Sequence, residues 1–103
     1  MQEFNEGNDG AVAHCAVGDR FRIRLQENRT TGFKWASGEK LDPLLHLVGE
    51  NYEPAGQQPG AGGVHTWDIE CTAQGRAKLE FGMSRSWDAG SPVKRFSMTA
   101  EVR

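Results

Sequence analysis

The sequence predicts an all-β chain, and three observations carry that reading. Several segments alternate apolar and polar side chains, most cleanly in "RFRIRLQ" (20–26), which is the two-residue period of a half-buried strand. Turn-forming residues punctuate those segments, with thirteen glycines and four prolines in 103 residues. No stretch carries the 3.6-residue apolar period of an amphipathic helix.

Taken in order, "AVAHCAV" (11–17) directs Ala13, Cys15 and Val17 to one face and Val12, His14 and Ala16 to the other. After Gly18-Asp19, Phe21, Ile23 and Leu25 turn inward while Arg20, Arg22 and Arg24 face solvent. A short strand is expected around Phe33–Ala36, and a weaker one in "LLHLVGENY" (44–52), with His46 half exposed. The stretch 53–63 is rich in glycine and proline. "VHTWDIECT" (64–72) alternates through Trp67, Ile69 and Cys71. Residues 73–75 make a turn, and "RAKLEFGMS" (76–84) buries Ala77, Leu79, Phe81 and Met83. A loop, "RSWDAGSP" (85–92), precedes a last strand that turns in Phe96, Met98, Ala100 and Val102. Six or seven short strands in about 100 residues indicate a single immunoglobulin-like antiparallel β-sandwich, or failing that a small barrel. One domain over residues 1–103 is expected, without internal repeat or linker.

Composition narrows the function. The net charge is −2 and there is no lysine/arginine block, so neither nucleic acid nor an anionic membrane is expected as a partner. No apolar run approaches the ~20 residues of a membrane span. The polar N-terminus "MQEFNEGNDG" lacks the basic and apolar parts of a signal peptide. Two locations stay open: cytoplasmic, or periplasmic or secreted if a signal peptide was removed and Met1 comes from expression. Cys15 and Cys71 both fit inward strand positions and are read as buried free thiols in preference to a disulfide. A bridge would close a loop of about 57 residues, adding roughly 4 kcal/mol on the chain-entropy model.

Converging chemistry is missing. His14, His46 and His65 are scattered and read as surface or edge residues. Neither Ser84 nor Ser86 sits in an activating motif such as G-x-S-x-G. "GAGG" (60–63) precedes a strand, not the helix N-terminus a phosphate cradle needs. The carboxylates are dispersed, and no cysteine or histidine pair has metal-ligand spacing. The chain is therefore expected not to be an enzyme and to use no cofactor or metal.

Three loops exceed what chain reversal requires: "ENRTTGF", "PGAGG" and "SRSWD". Alternate connections of a sandwich gather at one end, so these three should emerge together. Each could be a plain turn or rim on its own. Side by side they make a binding surface with a stiff tip, a side-chain-poor backbone segment and an Arg/Trp anchor.

With "NRTTGFKW" (28–35), "GAGG" and "RSW" (85–87) in this order and approximate spacing, the chain resembles the chagasin-type inhibitors of papain-like cysteine proteases. That family is marked by an Asn-Pro-Thr-Thr-Gly-aromatic loop, a Gly-x-Gly-Gly loop and an Arg-Pro-Trp/Phe loop on an immunoglobulin-like framework. The resemblance covers nearly the whole chain. It implies a reversible, tight-binding and monomeric blocker of a cathepsin-like protease, using loops 28–33, 59–64 and 84–90. The protease-binding residues it implies are Asn28, Arg29, Thr30, Thr31, Gly32 and Phe33, then Gly60, Ala61, Gly62 and Gly63, and finally Arg85, Ser86 and Trp87. Thr30 would approach the catalytic cysteine, with the other two loops gripping the sides of the cleft. Arg29 and Ser86 stand where the family has proline, which removes two fixed φ angles. The alternative is a non-inhibitory immunoglobulin-like binding or adhesion module, which would expose aromatics on a sheet face instead of on three loops.

Overall fold

Alternating burial sets the architecture. In a computed structural model describing residues 2–28, 32–37, 42–54, 56, 62–85 and 92–103, eight strands form two four-stranded sheets. The strands are β1 (Gln2–Phe4), β2 (Val12–Cys15), β3 (Arg20–Glu27), β4 (Phe33–Ser37), β5 (Leu45–Pro54), β6 (Gly63–Cys71), β7 (Gly75–Arg85) and β8 (Lys94–Val102). One sheet has the order β1-β3-β6-β5 and the other β2-β8-β7-β4. A single 3₁₀ turn (Glu6–Asn8), capped by the Asn5 side chain, joins β1 to β2 among the described residues.

The core forms where the inner faces of the two sheets meet. Phe21, Ile23 and Leu25 of β3, with Trp67 and Ile69 of β6 beside them in the same sheet, face Leu79, Phe81, Phe96 and Met98 of β7 and β8. Trp67 lies 4.7 Å from Phe81, ring centre to ring centre, and Phe81 lies 6.1 Å from Phe96, so aromatic edges and faces fill the middle of the sandwich. The outward residues of β3 are covered differently. Arg20, Arg22 and Arg24 pair with Glu70, Asp68 and Glu3, carboxylates of the strands on either side.

The strand pattern follows the alternation read from the sequence, with three departures. The polar N-terminus contributes β1, which runs parallel to β3, because an edge strand needs only its backbone and one inward residue (Phe4, edge-on to Phe21 at 5.9 Å). Val17 does not continue the inward face of β2. The strand ends at Cys15, the chain turns, and Val17 is 49% exposed. His65 is not a surface or edge residue: it is buried, on the same face of β6 as Trp67. The weak alternation of β5 has a physical cause, since its register against β6 shifts between Leu47 and Gly49, as at a β-bulge.

Neighbouring residues on β3 test the two faces. Ile23→Ala, which empties a fully buried site, is expected to lower unfolding free energy by about 2–5 kcal/mol. Arg24→Ala, which removes an exposed ion pair, should cost under about 1 kcal/mol. Urea unfolding of both variants checks the pair.

Candidate functional site

The three loops singled out in the sequence leave from one end of the sandwich. In the first sheet Glu27, the last residue of β3, pairs with Gly63, the first of β6, and Gly63 pairs on its other side with Pro54, the last of β5. In the second sheet Phe33, the first residue of β4, pairs with Arg85, the last of β7, while β8 opens with Lys94 opposite Met83. Segments 28–32, 55–62 and 86–93 therefore begin and finish at this end. The short β3–β4 connection steps from one sheet to the other, which holds the two sheet ends together.

Of the candidate binding residues, Asn28, Gly32, Phe33, Gly62, Gly63 and Arg85 are brought together at this end. Arg29, Thr30, Thr31, Gly60, Ala61, Ser86 and Trp87 lie outside the described residues. Gly32 has a φ of 81° and Gly62 a φ of 73°, a region that a β-carbon disfavours, so both loops turn on glycine next to a strand. A β-carbon on Gly62 would sit 3.8 Å from Asn28 Cβ, which places the glycine-rich loop against the root of the threonine loop. The Arg85 guanidinium lies 4.8 Å from the centre of the Phe33 ring, a cation–π contact that ties the third loop to the first. A hollow of about 580 Å³ opens between the stems, with Asn28, Phe33, Gly62, Met83 and Val93 in its wall.

Gly63 has a different role from the one its motif suggests. It is buried, and a β-carbon there would fall 2.5 Å from the Glu53 carbonyl oxygen and 2.6 Å from the Tyr52 hydroxyl. Its missing side chain makes room for Tyr52 inside the molecule.

Beneath the loops lies a polar cluster that the sequence reading missed. Glu27 is only 2% exposed, yet it follows directly in the inward series Phe21, Ile23, Leu25. Its Oε1 accepts the backbone N–H of Trp35 at 2.5 Å and lies 3.2 Å from Nδ1 of His65. The other ring nitrogen of His65 is 2.9 Å from Glu50 Oε2, and the ring stacks on Trp67 at 3.9 Å and 12°. Both nitrogens of His65 thus face carboxylate oxygens, one from β3 and one from β5. Two further bonds close the cluster: the Trp35 indole donates to the Gln26 carbonyl at 2.8 Å, and the Tyr52 hydroxyl to the Glu27 carbonyl at 3.2 Å. Strands β3, β4, β5 and β6 are linked here, one residue below the threonine loop. Parity was the signal available for Glu27 and His65, since each continues its strand's inward series by one step.

Comparison with known proteins gives the family. Residues 14–102 match the family described as chagasin family peptidase inhibitor I42. The chain belongs to that family. Chagasin of Trypanosoma cruzi is 29% identical to it over 94 residues, which cover 86% of each chain. The crystal structure of the cysteine protease inhibitor EhICP2 from Entamoeba histolytica superposes with a TM-score of 0.85 at 19% identity, over 99% of this chain and 94% of that one. PbICP-C, solved in complex with falcipain-2, superposes with a TM-score of 0.66 at 16% identity over the full length of both chains. These two establish the likeness of fold, and the match to the family fixes membership of the peptidase inhibitors.

The polar cluster predicts stability effects close to the loops. Glu27→Ala strands the Trp35 N–H and one face of His65, and should cost about 3 kcal/mol in urea unfolding. Gly63→Ala should destabilise by about 1–3 kcal/mol through clashes with the Glu53 carbonyl and the Tyr52 ring, and Tyr52→Ala in the same chain should relieve only the second, so that the two substitutions are non-additive.

Proposed function

We propose that the chain is a reversible, tight-binding inhibitor of papain-like cysteine proteases that closes the active-site cleft with loops 28–33, 59–64 and 84–90. One observation carries the reading: the pairs Glu27–Gly63 and Phe33–Arg85 bring the stems of all three loops to one end of a rigid sandwich. Membership of a peptidase inhibitor family supports it, as does the complex of PbICP-C with falcipain-2, a papain-like cysteine protease.

A blocker must fill the cleft without being cut, so its tip has to resist the extended pose of a substrate. Thr30 and Thr31 are β-branched and hold few χ1 states. Gly32 bends the backbone out of the extended region immediately after them. Behind the bend, Trp35 is locked by its two hydrogen bonds to the end of β3, so the loop is anchored at both of its ends. Thr30 meets the catalytic cysteine in this reading, and the glycine-rich backbone and Arg85–Trp87 flank the cleft on either side. Trp87 supplies a large contact area with only two rotatable side-chain bonds, and Arg85 a planar fork of donors, already oriented over Phe33. Loops ordered before contact lose little entropy on binding, and this lets an interface of roughly 1,600 Å² hold tightly. The inhibitor contributes no bond-making group. It occludes as a monomer.

The test is a titration of papain and of a cathepsin L-like enzyme with the purified chain. Stoichiometric loss of activity is expected, with the inhibitor intact on a gel and a serine protease unaffected. Thr30→Ala and Trp87→Ala should each raise the inhibition constant about tenfold or more while leaving the unfolding midpoint in place. No inhibition of either thiol protease at micromolar inhibitor would overturn the proposal.

A further inference from the structure

The pole opposite the loops holds the chain's two cysteines, and the function proposed above uses neither. Cys15 closes β2 in one sheet and Cys71 closes β6 in the other, so the pair spans the core from sheet to sheet. Both side chains point inward, with exposures of 7% and 0%. Their Sγ atoms are 2.6 Å apart, within about 0.6 Å of the ~2.05 Å of a sulfur–sulfur bond. The surrounding backbone is pinned on both sides. Cys71 donates its N–H to the Asp19 carbonyl and accepts that of Gly18, both at 2.8 Å, while Cys15 accepts the Arg103 N–H at 2.9 Å. The Cys15 sulfur also lies 3.7 Å from the Glu101 carbonyl, and among the described residues no group of three or more His, Cys, Asp or Glu side chains is placed to hold a metal ion.

We infer that Cys15 and Cys71 are a disulfide site, a covalent staple between the two sheets that closes while the chain folds in the presence of a low-molecular-weight or enzyme-bound disulfide. The step is thiol–disulfide exchange. One cysteine thiolate attacks a sulfur of the donor RS–SR and expels RS⁻. The second cysteine thiolate attacks the resulting mixed disulfide and expels another RS⁻. The two protons given up by the cysteines end on the two RS⁻, so the protein loses two electrons and the donor becomes two RSH. Timing follows from burial. Once the sandwich has closed, no donor reaches a sulfur with no exposed surface, and burial together with the neighbouring Cys15 sulfur pushes the Cys71 thiol up to about 12. Little nucleophilic thiolate remains at Cys71 in the folded dithiol. The bond therefore forms early or not at all, and once formed it resists reduction. It is a fixed staple, not a switch that cycles in the native state.

The experiment refolds the full chain in a mixture of reduced and oxidised glutathione and compares it with chain kept fully reduced. The glutathione-refolded protein is expected to lack thiols reactive with Ellman's reagent in denaturant and to weigh less than the reduced chain by two hydrogens. Reduction in denaturant and return to native buffer should lower the melting temperature by on the order of 10–20 °C. The double variant Cys15→Ala/Cys71→Ala should melt near the reduced protein, show no response to reductant, and inhibit papain as well as wild type, because the staple lies away from the loops. Two free thiols after refolding, glutathione adducts in place of the bridge, or a melting temperature indifferent to reduction would each overturn the inference. Failure of papain inhibition bears on the function alone, and the thiol count on the staple alone.

Discussion

The convergence of the three loop stems depends on strand register. Side chains alternate between faces with a period of two, so a slip of one residue between β3 and β6 would move Phe21, Ile23, Leu25 and Glu27 to solvent and bury arginines in their place. The core thus enforces one alignment over the whole of β3. That alignment sets Glu27 against Gly63 and, through the partner sheet, Phe33 against Arg85. Loop convergence is a by-product of core packing, and no contact between the loops has to create it.

The cluster around Glu27 converts that alignment into rigidity. A buried carboxylate is costly unless its oxygens are engaged, and here one oxygen serves a backbone N–H from β4 and an imidazole from β6. Each partner comes from a different strand, so no strand can shift at this end without breaking a hydrogen bond of a buried polar group. The polar residues thereby restrict motion next to the binding loops, where hydrophobic contacts alone would tolerate small slides. The stacked ring of Trp67 joins the cluster to the aromatic core below it.

Most of this architecture was legible in the sequence, because buried strands with one wet face advertise themselves by alternation. The inward series of β3, β6, β7 and β8 all emerge in the structure as read. What escaped was of two kinds. β1 carries too few residues and too little apolar character to show a period, and its identity comes from pairing with β3. Glu27 and His65 were masked by their own chemistry. A carboxylate and an imidazole read as surface residues until a partner is known, and their partners lie 38 positions apart in the chain. Three loops at one end could be argued from topology, whereas the polar floor beneath them is a tertiary fact.

The N-terminal segment has a further effect through the edges it covers. It lies along β3 of one sheet as β1, crosses over, and lies along β8 of the other as β2, in parallel alignment both times. Without it, each sheet would present an unpaired row of amides and carbonyls, open to a strand from a second molecule. The remaining borders are guarded by other means: β4 has only five residues, and β5 is kinked by its bulge and ends in proline. A stretch outside the three loops thereby shields one border of β3 and one of β8 from a strand of a second molecule.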